Sequence, residues 1–422
     1  MVLALAVVLL AACSSAEDGE PDALRGQQID VLAVWSGNEQ QQFQRVAEAF
    51  ERRTGVSVAY SSAGHGVATD LQARIDEDRV PDVAFLPQPG LLRRLASEGR
   101  LVPLRGLTED AVERNYGSVW RGLGSADGRL YGVWFKAANK SLIWYNVGVF
   151  ERAGIVPPDD VDRLLEVSRT LTATGVPAFS VGGSDGWTLT DWFENLYLRA
   201  AGPEKYDQLA EHRIPWTDES VKETLRLLSR VLDPAVLAGG TEDALRTPFE
   251  GSVERTFGSP PLAAMVFEGD FVAGVLLTRT RAQLGVNADF FPFPSVGSSV
   301  PAVVGGGDAA VLLRRSDAGE AFLRYLASPE AAAIWAARGG FVSPNRNLDI
   351  SVYPDEISRS VARRLLDAGD EFRFDLSDLQ PAAFGGMATQ GMRPALQEFL
   401  RVRDVDATAG RLEADARAAF GG

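Results

Sequence analysis

Cysteine is nearly missing from these 422 residues: there is one, Cys13. The chain therefore cannot close a disulfide on itself, and a fold built from it must be stable through burial alone. Histidine is almost as rare. His65 and His212 are the whole supply, which leaves little material for a His/Cys metal site, and neither a metal nor a cofactor is expected. Positive charge is also short. Asp and Glu number 57 against 42 Lys and Arg, the net charge is −15, and nucleic acid is excluded as a partner because phosphate binding needs clustered Lys and Arg. Lysine is the scarcest charge of all: Lys136, Lys140, Lys205 and Lys222 are four of those 42. Two of them share the segment from Tyr131 to Asn146, where a compact ammonium differs in kind from a planar guanidinium.

Long apolar runs are missing too. Residues 1–12 are continuously apolar, but twelve residues rise only about 18 Å as helix, short of the ~30 Å hydrocarbon core. They read as the h-region of an export signal, without a basic stretch ahead of it. Leu10-Ala11-Ala12-Cys13 resembles a bacterial lipobox, which would make Cys13 the lipidated first residue of the mature chain. The residues from Ser14 to Gln28 are polar and rich in Glu, Asp, Gly and Pro, and read as a flexible tether. The expected location is therefore the outer face of the cell membrane, held by lipid.

What is present is α/β patterning over a length that implies two domains. Ile29 to Trp35, Val56 to Tyr60 and Pro81 to Leu86 read as strands. Each is followed by a loop and an amphipathic helix, the first with Phe43, Val46, Ala47 and Phe50 on one face. This repetition predicts a mostly parallel sheet, with the loops at Trp35–Glu39, Gly64–Gly66 and Gln88–Gly90 along its ligand-binding edge. Ala178 to Val181 is expected to be a further strand. Three extended segments lie far apart in the chain: Tyr131–Asn146, Phe290–Pro294 and Phe341–Pro344. Read as crossings between two discontinuous lobes, they form a multi-segment hinge suited to closure around a ligand. The lobes are expected at 29–137 with 290–341, and at 138–289 with 342–422, after a signal and tether over 1–28.

These pieces in this order resemble the family 1 extracellular solute-binding proteins of bacterial ABC importers. The likeness is carried by the lipobox, Val34-Trp35-Ser36-Gly37 before an amphipathic helix, Pro81-Asp82-Val83, and Tyr131-Gly132-Val133 followed by Trp144-Tyr145-Asn146. Ala263-Ala264-Met265 leading to Glu268-Gly269, and Tyr325 through Ala331, complete it. Lys136–Trp144, Gly186-Trp187, Thr190-Asp191-Trp192, Phe341–Asn345, Phe372–Asp375 and Ser377-Asp378-Leu379 are most similar to the α-glucoside-binding branch. The resemblance implies a type II periplasmic-binding-protein fold and a monomer. It implies capture of an α-glucoside or related oligosaccharide and delivery to membrane permease subunits, with no chemical step. Glu268-Gly269-Asp270-Phe271 departs from the Gly/Ser-Trp pair of many relatives.

A sugar offers flat C–H faces and many hydroxyls, so its site needs aromatic plates with carboxylates, amides and basic groups between them. The expected plates are Trp35, Trp187 and Trp192, with Phe271. The expected polar groups are Ser36, Glu39, His65, Gln88, Lys136, Asn139, Lys140, Asp191, Glu268, Asp270, Asp308 and Arg373, and Gly306 is a further candidate contact. For each the alternative is core packing, a helix cap or a surface ion pair. Gly182–Gly186 matches G-x-S-x-G, but a hydrolase of that kind needs an acid and then a histidine downstream, and only His212 follows. Gly305–Ala310 matches G-x-G-x-x-A, but a strand-like run follows where a helix should open. Two rivals remain open: glycoside hydrolysis by paired carboxylates such as Glu268 and Asp270, and a binding protein for a non-sugar solute.

Overall fold

The structure, a computed structural model, describes residues 23–299, 301–386 and 389–421. Cys13 and the apolar leader lie outside these residues, as does the side chain of His65. Among the described residues no helix is long and apolar enough to cross a membrane.

Apolar strands alternating with amphipathic helices build the first lobe. β1 (Gln28–Ala33) lies between β2 (Ser57–Ser62) and β3 (Val83–Leu86), parallel to both. α1 (Gly37–Thr54) joins β1 to β2 and buries the expected face of Phe43, Val46, Ala47 and Phe50. It stops at Gly55, whose left-handed backbone (φ 73°) lets its N–H cap Glu51 O. α2 (Pro89–Ser97) follows β3. Parallel strands put the loops after Ala33, Ser62 and Leu86 on one edge of the sheet, as anticipated.

The chain then leaves through β4 (Gly132–Asn139) and enters the second lobe as β5 (Leu142–Asn146). α3 (Trp187–Ala201) is buried nearly all round from Thr188 to Arg199. β6 (Met265–Phe267) and β7 (Ala288–Pro292) flank β5 in a separate three-stranded antiparallel sheet. The return strand β8 (Val303–Leu312) rejoins the first sheet, antiparallel to β3 and β4 and parallel to β9 (Phe372–Phe374). Gly305 and Gly307 make the β4–β8 pairing possible. A Cβ on Gly305 would collide with Ala138 O, and one on Gly307 would stand 2.5 Å from Lys136 O. One register shift between Asp308 and Ala309 leaves Asp308 opposite Lys136.

The first crossing lies at Lys140–Ser141, within the segment Tyr131–Asn146. The other two differ from the expectation. Phe290–Phe293 stays with the second lobe, and the chain returns only past Ala302 and Val304, which belong to the second core. Phe341 and Val342 stay with the first core, and Val342 bridges Ala137 of β4. Val361, Leu365 and Phe372 belong to the same core, with Phe372 4.6 Å from Trp120 between ring centres. The chain passes to the second core only between Phe374 and Leu376. The stretch 342–374 therefore packs with the first lobe, and Phe290–Pro292 pairs with β5 of the second, both against the expected boundaries. The strand expected over Ala178–Val181 reduces to a bridge at Phe179, which pairs with Leu237 and Met265.

Candidate functional site

All three crossings are tied to one helix. Along α3, Trp192, Phe193, Leu196 and Tyr197 enter the second core, while Asp191, Glu194, Asn195 and Arg199 meet the hinge. Asn195 Nδ2 donates to Lys140 O (3.0 Å), and Ser141 Oγ donates to Asn195 Oδ1 (2.6 Å). Arg199 donates to Ala302 O at 2.8 Å, and Val304 N donates to Ser141 Oγ at 2.9 Å, which holds the second crossing. Glu194 accepts from the amides of Leu376 (2.8 Å) and Ser377 (3.2 Å) and so caps α4 (Leu376–Leu379) at the third crossing.

Above this knot stand the two lysines. Lys140 is 14% exposed and pairs with Asp375 and, at 3.3 Å, with fully buried Asp191. Oxygens of Asp191, Glu194 and Asp375 lie within 4.8 Å of one another, a spacing that suits a cation, and the Lys140 ammonium bonds two of the three groups. Burial lowers the affinity of Lys140 for its proton, but Asp191 and Asp375 outweigh it and raise its pKa well above the ordinary value. Asp191 is pushed up to about 8 by burial, against the pull of Lys140. Burial also raises Glu268 and Glu194 well above the carboxylate range. Glu268 is fully buried beside Asp191, and no amide, ammonium or hydroxyl group among the described residues donates to either of its oxygens. Asp375 goes the other way: burial pushes it up, but Lys140 and hydrogen bonds from its neighbours hold it well below the usual range.

Lys136 forms the second centre. It pairs with Glu39 at the start of α1 and faces Asp308 across the β4–β8 ladder. Trp35 Nε1 donates to Asp308 Oδ2 at 3.2 Å, and Asn139 N donates to Asp270 Oδ1 at 2.7 Å. Burial raises both Asp308 and Asp270 to about 6, opposed by Lys136. Beside these centres runs an aromatic wall. Lys140 Nζ lies 5.7 Å from the centre of the Trp187 ring, and Trp187 is 5.3 Å from Phe249 and 5.9 Å from Phe271. Trp187 and Phe271 are half-buried. Gln88 of the first lobe reaches across to Asp378 of α4 at 3.0 Å.

Thus Glu39, Lys136, Asn139, Asp270 and Asp308 gather at one lysine, and Asp191, Glu268 and Trp187 at the other. Phe271 completes the wall, Gly306 is buried opposite Ala138 on the ladder, and Ser36 is exposed just before α1. Three expected residues are placed otherwise. Trp35 is first-lobe core, 4.6 Å from Phe85, 4.9 Å from Phe43 and 5.1 Å from Trp335; only its indole N–H reaches Asp308. Trp192 is second-lobe core, between Phe179, Phe267 and Phe293. Arg373 bonds Asp207 at 2.8 Å in a recess of about 470 Å³ shared with Arg93 and Glu211, away from both lysines. Sequence reasoning missed Glu194, Asp375 and Asp378 as members. A second recess of about 430 Å³, around Asp243, Arg255 and Pro260, holds none of these residues. Ser184, of the G-x-S-x-G match, bonds neighbouring Asp185, while His212 pairs with Glu413.

Two lobes built from discontinuous pieces, with polar and aromatic groups at one hinge, define a two-lobed solute receptor. The sequence profile of the bacterial extracellular solute-binding proteins matches residues 36–333, and the chain belongs to that family. It is a binding protein and not an enzyme. It is 32% identical over 392 residues to the osmoprotective compounds-binding protein GgtB of Synechocystis sp., covering 91% of each chain. It is also 32% identical over 383 residues to the alpha-glucosides-binding periplasmic protein AglE of Rhizobium meliloti, covering 86% of this chain and 82% of that one. Among solved structures, the bacterial solute receptor AcbH superposes with a TM-score of 0.80 at 18% identity, over 93% of this chain and 99% of that one. A chitin oligosaccharide binding protein gives 0.78, also at 18% identity, over 94% and 99%.

Proposed function

We propose that this protein captures an α-glucoside or related oligosaccharide between its lobes and delivers it to the transmembrane subunits of an ABC importer. The observation that carries the reading is the half-buried Trp187–Phe271 wall beside Lys140, with carboxylates of both lobes around it. An aromatic plate takes the C–H face of a pyranose, and acceptors with a few donors take its hydroxyls. GgtB and AglE, at equal identity, bind solutes described as osmoprotective compounds and alpha-glucosides, and both support this class. A monomer tethered outside the cell through lipid on Cys13 completes the reading.

The mechanism is a population shift. Ligand that touches both lobes stabilises the closed form, and that form docks on the permease. A micromolar Kd, about −8 kcal/mol, is enough for capture. Isothermal titration against maltose, trehalose, sucrose and aryl α-glucosides tests the proposal, with saturable heat expected for at least one. No heat with any sugar, alongside saturable binding of a peptide or another non-sugar solute, would replace it.

A further inference from the structure

Arg393 has no part in the site described above, yet its position has a use. It is the second residue of α5 (Met392–Val402), is half-buried, and its Nε is buried without a hydrogen-bond partner among the described residues. Leaving a buried donor unpaired costs about 1–3 kcal/mol, more for a charged group, so a placement of this kind points to a partner that comes and goes. Two glycines hold it there. Gly186, immediately before Trp187, has φ 73°, and a Cβ on it would stand 2.9 Å from Arg393 Cβ and 3.5 Å from its Cγ. The stem of Arg393 is thus pressed against the start of α3, beside Trp187. Gly391, at φ 77°, passes so close to Phe384 O that no Cβ fits, which fixes the backbone entering α5.

The groups near this guanidinium match a sugar ring. Asp378 feels the charge of Arg393 and accepts one hydrogen bond from Gln88 of the first lobe. Trp187 follows directly on Gly186, with Lys140 over its ring. Arg393, on α5 where its stem meets the start of α3, and Asp378, on α4, bring a fork of donors and a carboxylate acceptor to the end of α3 that carries Trp187. Lys136 and Lys140 are neutralised by carboxylates, whereas Arg393 Nε has no hydrogen-bond partner among the described residues.

We propose that Arg393 is a ligand-holding residue, forming with Trp187 and Asp378 a subsite for one glycosyl ring. Its guanidinium donates to two neighbouring hydroxyls, Asp378 accepts from the ring's other hydroxyls, and the ring lies against Trp187. The inference rests on the carbohydrate reading.

Calorimetry and thermal melts on the full chain separate the two. Wild type binding a glycoside, with R393A losing tenfold or more in affinity, equivalent to about 1.4 kcal/mol, and an unchanged melting temperature, is the expected result. R393K, which keeps the charge but not the fork, is expected to restore less than half of that loss in free energy. D378N is expected to weaken binding in the same direction. If R393A binds the glycoside as wild type does, or if R393A and R393K lose melting temperature and affinity together, the subsite is wrong and the carbohydrate reading stands. If wild type binds no glycoside at all, the carbohydrate reading fails and takes the subsite with it.

Discussion

Replacing Lys140 with alanine tests the hinge most directly. The ammonium is 14% exposed, and its partners Asp191 and Asp375 have side chains exposed by 0% and 2%. Removing one member of a buried ion pair leaves an uncompensated charge and costs about 3–5 kcal/mol. The same substitution at Lys205, whose pair with Asp218 is 47% and 30% exposed, removes about 1 kcal/mol or less. The pH dependence sharpens the contrast. In wild type Asp375 is held low, so its contribution is present above the ordinary carboxylate range and lost only in strong acid. Without Lys140, burial dominates and Asp375 must take up a proton to fold. Its folded pKa then lies above its unfolded one, and the variant gains stability as pH falls. One such proton is worth about 1.4 kcal/mol per pH unit, so the gap to wild type should narrow by up to about 2.7 kcal/mol between pH 7 and pH 5. Urea denaturation followed by tryptophan fluorescence at both pH values reads this out. A loss at pH 7 no larger than that of Lys205→Ala, or a gap indifferent to pH, would refute the reasoning.

Wild type itself should melt at lower temperature as pH rises from 5 to 8.5. Asp270, Asp308 and Asp378 are raised to about 6 and Asp191 to about 8, so their stabilising protonation is complete near pH 4 and lost through those values. Asp191→Asn should flatten the upper part of that profile, and a melting temperature that climbs over the interval contradicts the assignment. Trp35→Ala should cost about 3–5 kcal/mol of folding stability, because the ring is core. Trp187→Ala should cost under about 2 kcal/mol in folding yet tenfold or more in glycoside affinity, about 1.4 kcal/mol, and calorimetry showing the reverse order would exchange their roles. Gly307→Ala should destabilise by about 1–3 kcal/mol by driving a methyl into Lys136 O, whereas Gly274→Ala, with open space around it, should be neutral or slightly stabilising in the same urea melts.

Local chemistry made much of the first lobe readable. Phe43, Val46, Ala47 and Phe50 repeat at helical spacing, and the β1, β2 and β3 segments announce themselves as short apolar runs between turn residues. The scarcity of lysine singled out Lys136 and Lys140 before any contact was known. Direction was harder. Trp35 and Trp192 sit next to polar loop residues in sequence, but a residue at a strand end or on a helix can turn inward, and nothing local says which way it faces. Arg373 alternates with Phe372 and Phe374, so when the two rings enter the first core the arginine must point out, towards Asp207. Glu194, Asp375 and Asp378 were not assigned to the site, although two of them lie in segments that carry the resemblance, because Lys140 and Asp375 are 235 residues apart and only the topology joins them. The third crossing was misplaced for a similar reason. An extended segment bearing proline, such as Phe341–Pro344, looks the same whether it changes lobes or stays.

The missing side chains along β8 have a mechanical consequence. With no Cβ at Gly305 or Gly307, β8 and β4 touch backbone to backbone at the point where the lobes join, and nothing compressible lies between them. In the proposed closure, bending falls on the few residues around Lys140, Ala302 and Asp375, as a door turns on its pins while its frame stays rigid. A bulkier residue at either glycine would act as a wedge beside those pins, which makes positions 305 and 307 the natural places to jam the movement on purpose.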